Sequence, residues 1–383
     1  MLSEQQLALL PVPIQKHFRA LERDIVTRLA EHIGRIGAVT PTDLFRLEEL
    51  RNIGYDMQEI EHEISVTSNR AETEIHGLLS GAAESEYISL DTAIPFGQNR
   101  QLHTLIQSIE QATAGTLRNI SNTSTIGLLT RSGNVKPIAA AYQNSIDYAV
   151  TQLRTGQTDF YSAIRQTVKN LSDGGARVIY PAGATRRLDT AVRQNILGAQ
   201  AELSKQQAEI TGQQFGANGW ELSYHSGHRP SHWFGGRQFT KQEFDRQGIG
   251  ALMDEWNCYH RKFPIIIGIS QPTYSAEQLQ EFDAKQKETH EFNGQQFTKY
   301  EATQRQRQFE TAIRQKRDEA NAYTALADGH IAGGGSKGDA LYKQYKETAT
   351  LARGKAQAIN QEYIRFSEKI GLYTQPKRIS VPK

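Results

Sequence analysis

Apolar residues recur at helical spacing over residues 12–36, at Ile14, Phe18, Leu21, Ile25, Leu29 and Ile33. That stripe predicts one amphipathic helix. The stretch "GAVTPTDLFRLEEL" restarts the chain, with Thr40 or Thr42 as N-cap and Asp43 in the first turn. A third helix is expected over about 56–81. Residues 82–136 are rich in Ser, Thr, Asn and Gly and predict loops with one short helix near 100–114. Helical spacing returns over 137–155, 157–172 and 186–212, the last with Leu188, Val192, Ile196 and Ala199 on one face. Two long helices, about 298–328 and 338–370, close the chain around "DGHIAGGGSKGD", which reads as a glycine-rich linker.

Between these helices the pattern changes. "GGARVIYPAGATRRLD" sets a β-branched run between glycines and a Pro/Gly turn. "NGWELSYHS" alternates as a strand does, through Trp220, Leu222 and Tyr224, and "KFPIIIGIS" is a second strand candidate. "FNGQQF" carries the Asn-Gly signature of a tight hairpin. No repeat of 20–50 residues stands out. The expected fold is α+β: predominantly helical and elongated, with a small β-containing knuckle and long C-terminal helices. Its expected parts are an acidic helical arm over 1–90, a loop-rich linker over 91–136, an α+β body over 137–297, and long helices with a basic tail over 298–383.

Composition narrows the function classes. Apolar residues make up 38% of the 383, and mean hydropathy is −0.59, below the usual apolar share of a compact globular chain. The longest apolar run, "FPIIIGI", is too short to span a bilayer. The first residues lack the basic start and apolar core of a signal peptide, and a single cysteine cannot form an internal disulfide, so a cytosolic origin is expected. Charge is uneven: residues 1–90 hold 8 Lys and Arg against 15 Asp and Glu, the remainder 36 against 27. An acidic arm on a mildly basic body reads either as solvated helix faces or as two parts that meet different partners. Such an arm has little to bury alone and could lie along a partner as helices in grooves.

The candidate chemistry lies in "HSGHRPSHWFGGRQF" and, about twenty residues on, "WNCYH". Four of the 11 histidines fall in this window of 36 residues, with the only cysteine. Zinc accepts Cys sulfur and His nitrogen, and structural sites draw ligands in close pairs from separate segments. The first pair would come from His225, His228 and His232, and the second is Cys258 and His260. Hydrogen-bonded histidines with an unmetallated thiol remain the alternative. Catalysis is a third reading. A thiol nucleophile needs Cys258 and His260 on one side, whereas residues two apart on a strand face opposite ways. A metal-dependent nuclease would use His232 as base and His260 as ligand, with Asn257 and Asp254 nearby. No P-loop, G-x-S-x-G or H-E-x-x-H occurs.

Four blocks, "VIYPAGATRRLDTAVRQNIL", "HSGHRPSHWFGGRQF", "NCYHRKFPIIIGISQPTYS" and "YEATQRQRQFETAIRQKR", occur in an order that resembles the tailed-phage minor capsid protein 2 family, itself related to MuF-type head-morphogenesis proteins. Tyr180, Pro181, Ala182 and Gly183 match a Tyr-Pro-Ser-Gly-like turn, and Asp189 and Arg193 an Arg-containing helix. His225, Gly227, Arg229, Pro230 and His232 match a His-x-Gly-x-Arg-Pro-x-His block. "FGGRQF" stands for Trp-Gln-Gly-Lys-x-Phe, one residue shorter, and Asn257, Cys258, Tyr259 and His260 for Asn-Cys-Arg-His. Related proteins carry C-x-x-C and C-x-C at equivalent places, which implies a shared structural zinc on His225, His232, Cys258 and His260, with His228 outside the pattern.

The resemblance implies a structural, non-enzymatic head protein of the virion. It would sit inside the head at the portal vertex, with the portal protein and major capsid protein as partners. The basic body would touch packaged double-stranded DNA without sequence preference, through Arg186, Arg187, Arg193, Lys377, Arg378 and Lys383. The acidic arm would dock on the portal, and no membrane is involved. A metal-dependent nuclease acting on phage or host DNA is the alternative.

Overall fold

A computed structural model describes residues 2–39, 57–88, 94–155 and 159–380. The expected caps at Thr40 and Thr42, and Asp43, lie outside the described residues, as does Lys383. The helical elements in chain order are α1 (Glu4–Leu9), α2 (Val12–Gly37), α3 (Met57–Ile88), α4 (Arg100–Ile120), α5 (Ile138–Arg154), α6 (Phe160–Gly174), α7 (Leu188–Gln214), α8 (Lys241–Arg246), α9 (Ile249–Met253), α10 (Ala276–Lys287), α11 (Lys299–Ala332), α12 (Ala340–Ile370) and α13 (Pro376–Ile379). Three small antiparallel sheets are interleaved. One joins β1 (Ile126–Leu129), β2 (Val135–Pro137), β3 (Ala176–Ile179) and β4 (Thr185–Arg187) in the order β2-β1-β3-β4. The second places β5 (Gly219–Leu222) between β6 (Gln238–Thr240) and β7 (Lys262–Ile265), and the third is the hairpin β8 (Thr289–Phe292)–β9 (Gln295–Thr298). The fold is predominantly helical α+β. No described helix is long and apolar enough to cross a membrane.

Helix α2 is the centre of the principal core. Ile14, Phe18, Ile25, Leu29, Ala30 and Ile33 are all fully buried, because α2 is enclosed by α3, α5, α7 and, above all, α11. Reciprocal glycines set the α2–α11 crossing. A Cβ on Gly34 would lie 2.2 Å from the Leu326 carbonyl oxygen, and one on Gly329 2.1 Å from that of Glu31. The two backbones touch directly. Polar groups add a second tie: Gln15 donates to the Asp189 carbonyl at 2.8 Å, and Arg187 reaches Glu22 at 2.7 Å. The N-terminal segment is therefore no detached arm, and the expectation that it buries little within the chain is corrected. The core draws side chains from Ile14 to Ala349, so boundaries at 90, 136 and 297 do not separate cores.

The stretch expected as a loop-rich linker is mostly ordered elements. Asn99 caps α4 by accepting from the Leu102 amide, and α4 runs to Ile120 with Leu102, Ile106, Ala114 and Leu117 inward. The β1–β2 hairpin follows, and it repeats. In both hairpins a glycine of positive φ (Gly133, Gly183) closes the turn, donating to Thr130 and Tyr180 respectively, and a helix starts straight after the second strand. The units are 50 residues apart and pair through β1 and β3. Here a repeat exists that residue identity does not betray, since the turn uses "TRSGN" once and "YPAGA" once.

The remaining elements form two smaller cores. Ala208, Trp220, Leu222, Phe234, Phe239, Phe244 and Ile249 centre the knuckle around β5–β7. Phe309, Ile313, Tyr363 and Phe366 join α11 to α12, covered by Phe292 and Phe297 of the Asn-Gly hairpin. Asn293 and Gly294 both adopt positive φ there, as a tight hairpin turn requires. The glycine-rich stretch between α11 and α12 is a pinned turn rather than a flexible linker. Asp339 accepts from the Ser336 amide and pairs with His330, each at 2.8 Å.

Candidate metal centre

Strand β5 ends at Leu222, and the next residues stay paired: the Ser223 amide donates to the Arg261 carbonyl at 2.8 Å. This register holds two irregular segments side by side, the loop 224–237 and the stretch 254–261. Gly227 and Gly236 turn the first at positive φ. Arg229 then clamps it to the second, donating to the Glu255 carboxylate and the Trp256 carbonyl. Asn257 has φ +63°, and the Cys258 amide donates back to the Glu255 carbonyl. The backbone around Cys258 is thus turned, not extended.

That turn corrects the sequence argument about Cys258 and His260. Residues two apart diverge only on a strand; here both face one point. Cys258 Sγ lies 3.5 Å from His260 Nδ1 and 3.7 Å from His232 Nδ1. One donor atom from each of the three falls within 4.8 Å of the others. His232 and His260 are buried. His225 stands just outside this triad, with its ring centroid 4.3 Å from that of His260 and its Nδ1 3.9 Å from Glu4. His228 borders the cluster, its ring centroid 5.6 Å from that of His260, but its Nδ1 is taken up by the Arg229 carbonyl oxygen at 2.9 Å and it is not among the three grouped donors. Three of the four expected ligands are therefore together, and the fourth is their immediate neighbour. His225, His232 and Cys258 line a cavity of about 210 Å³ that Asn257 and Arg307 also line, and His260 closes the cluster from behind it.

The electrostatics suit a soft cation. Burial, reinforced by the neighbouring histidines, holds His260 far below the usual imidazole range. Burial and then His228 push His225 down to about 3. Burial also lowers His232, against the pull of Glu255 Oε2 at 3.4 Å from Nε2. Neutral imidazole is the metal-binding form. Burial raises the Cys258 thiol, so a thiolate there needs a cation beside it and the free thiol is a poor nucleophile. His260 leaves Nε2 buried with no hydrogen-bond partner, an orphan that calls for an explanation. Two imidazoles and one sulfur are a donor set zinc accepts. Asp254, a residue a nuclease could use, is exposed and 3.4 Å from Lys205, outside the donor group.

Of the residues expected to meet DNA, three point inward. Arg187 pairs with Glu22, Arg193 donates to the Ala8 carbonyl at 3.0 Å and the Tyr259 hydroxyl at 2.7 Å, and Arg378 Nε lies 3.3 Å from Glu310. Arg193 is buried, and Arg187 and Arg378 keep only 14% of their side chains exposed, so little of their charge is offered outward. Arg186 is partly exposed, bonded to Gln194 and stacked near the Tyr180 and Trp256 rings, and Lys377 is exposed. Sequence reasoning missed the Arg229–Glu255 clamp and Arg307. Arg229 carried a signal in its place between His228 and His232; Arg307 carried none.

The comparison with family models decides what this architecture belongs to: the model described as phage minor capsid protein 2 matches residues 2–363. The chain belongs to the phage minor capsid protein 2 family. Neither curated proteins nor solved structures give a match. Membership makes the chain a structural component of the virion. In this family member the matched range takes in the three sheets and the donor triad, and ends within α12, before α13.

Proposed function

We propose that this minor capsid protein is a non-enzymatic head component held inside the capsid at the portal vertex, with a knuckle fixed by one zinc ion. His232, Cys258 and His260 would hold the ion, with His225 the nearest fourth donor. Bound zinc supplies a crosslink and the charge that keeps Cys258 a thiolate. The chain's own residues do the rest: Arg229 ties the His loop to the Cys segment through Glu255 and Trp256, and Phe234 packs under the histidines at a centroid distance of 4.9 Å from His260. The observation that carries this reading is a buried His/Cys triad within a chain that matches a minor capsid family over nearly its whole length.

Its partners on this reading are the portal protein and the major capsid protein. Contact with packaged double-stranded DNA would be non-specific and carried mainly by the exposed Lys377 and the partly exposed Arg186, which weakens it relative to a six-residue footprint. Docking cannot be assigned to a free N-terminal arm, because deleting 1–80 removes α1, α2 and most of α3 from the core. Crosslinking mass spectrometry on intact virions tests the placement. Crosslinks to the portal protein support it; crosslinks confined to shell sites far from the portal overturn it.

A further inference from the structure

A second cavity, of about 200 Å³, adjoins the histidine cavity and shares Asn257 and Arg307 with it. Five guanidinium groups line it, from Arg19 on α2, Arg193 on α7, Arg307 and Arg314 on α11, and Arg378 on α13. Only two carboxylates line it, Asp189 and Glu310. Glu22 and Asp318 lie behind the wall near Arg187.

Four of the arginines are engaged by the fold. Arg19 and Arg314 share Asp189, at 3.4 and 3.8 Å, and both donate to the Arg378 carbonyl, at 3.2 and 2.9 Å. Arg378 meets Glu310, and Arg193 is held by Ala8 and Tyr259. Arg307 is different. Its guanidinium makes no hydrogen bond or ion pair with any described residue, although protein encloses most of it. Arginine cannot shed its proton, and the nearest carboxylate to act on it, Glu310, is already paired with Arg378, so much of the cost of enclosing this charge is not offset. The lining carries more positive than negative charge, and its unmatched member faces the empty volume.

We infer that this cavity binds a small phosphate-type anion, inorganic phosphate or pyrophosphate, with Arg307 as its principal unshared ligand. The planar guanidinium fork matches two phosphate oxygens at once. The volume equals that of about seven liquid waters, enough for such an anion but not for a base pair. The anion would tie α2, α7, α11 and α13 at one point, so its effect is on stability as well as occupancy. This inference does not depend on zinc or on the virion location.

The test is calorimetric titration of the full-length protein with sodium phosphate and with pyrophosphate, at ionic strength held constant with chloride. Saturable binding is expected, at least tenfold weaker in Arg307→Gln and partly restored in Arg307→Lys. Melting should rise with phosphate in the parent protein and should not in Arg307→Gln. Because Arg307 has no partner in the fold, Arg307→Gln should melt no lower than the parent without phosphate. Absence of saturable binding to the parent protein would overturn the inference whatever the variants do. So would equal affinity in parent and Arg307→Gln, or displacement of phosphate by an unphosphorylated DNA duplex at matched phosphate concentration, which would make the ligand a DNA backbone.

Discussion

Replacing Gly329 by Ala puts a methyl group 2.1 Å from the Glu31 carbonyl oxygen and 2.8 Å from its carbon. Those are backbone atoms of α2 and cannot rotate away. Ordinary contact begins at 3.4 Å, so the helices must part by roughly 1 Å or more. A radial gap of that size forfeits a quarter to a half of the dispersion attraction of the side chains facing it. Overpacking commonly costs about 1–3 kcal/mol, and a rigid obstacle places this case near the upper end. Against it stands the helix preference of Ala over Gly, about 1 kcal/mol. The net expectation is a loss of about 2 kcal/mol, from the steric effect winning. The same substitution at Gly198, on α7 with nothing within 4 Å of the added carbon, has only the propensity gain and should stabilise by about 0.5–1 kcal/mol. Urea unfolding followed by circular dichroism reads both. Opposite shifts of the midpoints are predicted. A Gly329→Ala protein as stable as the parent would refute the claim that α2 and α11 meet backbone to backbone.

Four further outcomes follow from buried charge and from the donor cluster. Burial pushes Glu22 up to about 7 and Asp318 up to about 6. The folded state therefore holds protons there that the unfolded chain has released, and these groups should make stability fall as pH rises from about 4.5 to 7; Glu22→Gln should flatten that slope in melts taken across the range. Asp189 is held below the usual carboxylate range by Arg314, Arg187 and Arg19 against its own burial, so its contribution is lost only on acidification below about 4. Arg193→Gln leaves the Ala8 carbonyl and Tyr259 hydroxyl without their donor and should cost about 1–3 kcal/mol of stability while leaving DNA affinity, measured by fluorescence anisotropy, unchanged. Plasmid DNA incubated with the protein and Mg²⁺, Mn²⁺ or Zn²⁺ should stay intact; cleavage that vanishes in His232→Ala would restore the nuclease reading.

How much of this was readable from residues alone depends on how local the cause is. The stripe from Ile14 to Ile33 gave α2 nearly to its ends, and Asn293-Gly294 gave the β8–β9 turn, because both are dictated within a few residues. Where α2 goes was not readable. Its acidic flank suggested a solvated arm, whereas Glu22 is buried and bonded to Arg187, 165 positions away. The same distance effect hid the fate of Arg187, Arg193 and Arg378, whose partners come from other helices. At the candidate metal centre, residue type and spacing singled out His232, Cys258 and His260, and only the left-handed turn at Asn257 explains how a Cys-x-His pair can face one point. Arg307 sits in a run of charged and Gln residues that reads as solvated helix, and only the meeting of α2, α7 and α11 makes it the unmatched charge of a cavity.

On the proposed reading the histidines and the lone cysteine form one metal-held knuckle. Its most direct measurement is the zinc content of the purified full-length protein, set beside that of Cys258→Ser/His260→Ala. One equivalent of zinc in the parent is predicted, absent from the double variant together with a lowered melting temperature. A metal-free parent whose stability the double substitution leaves unchanged would contradict it.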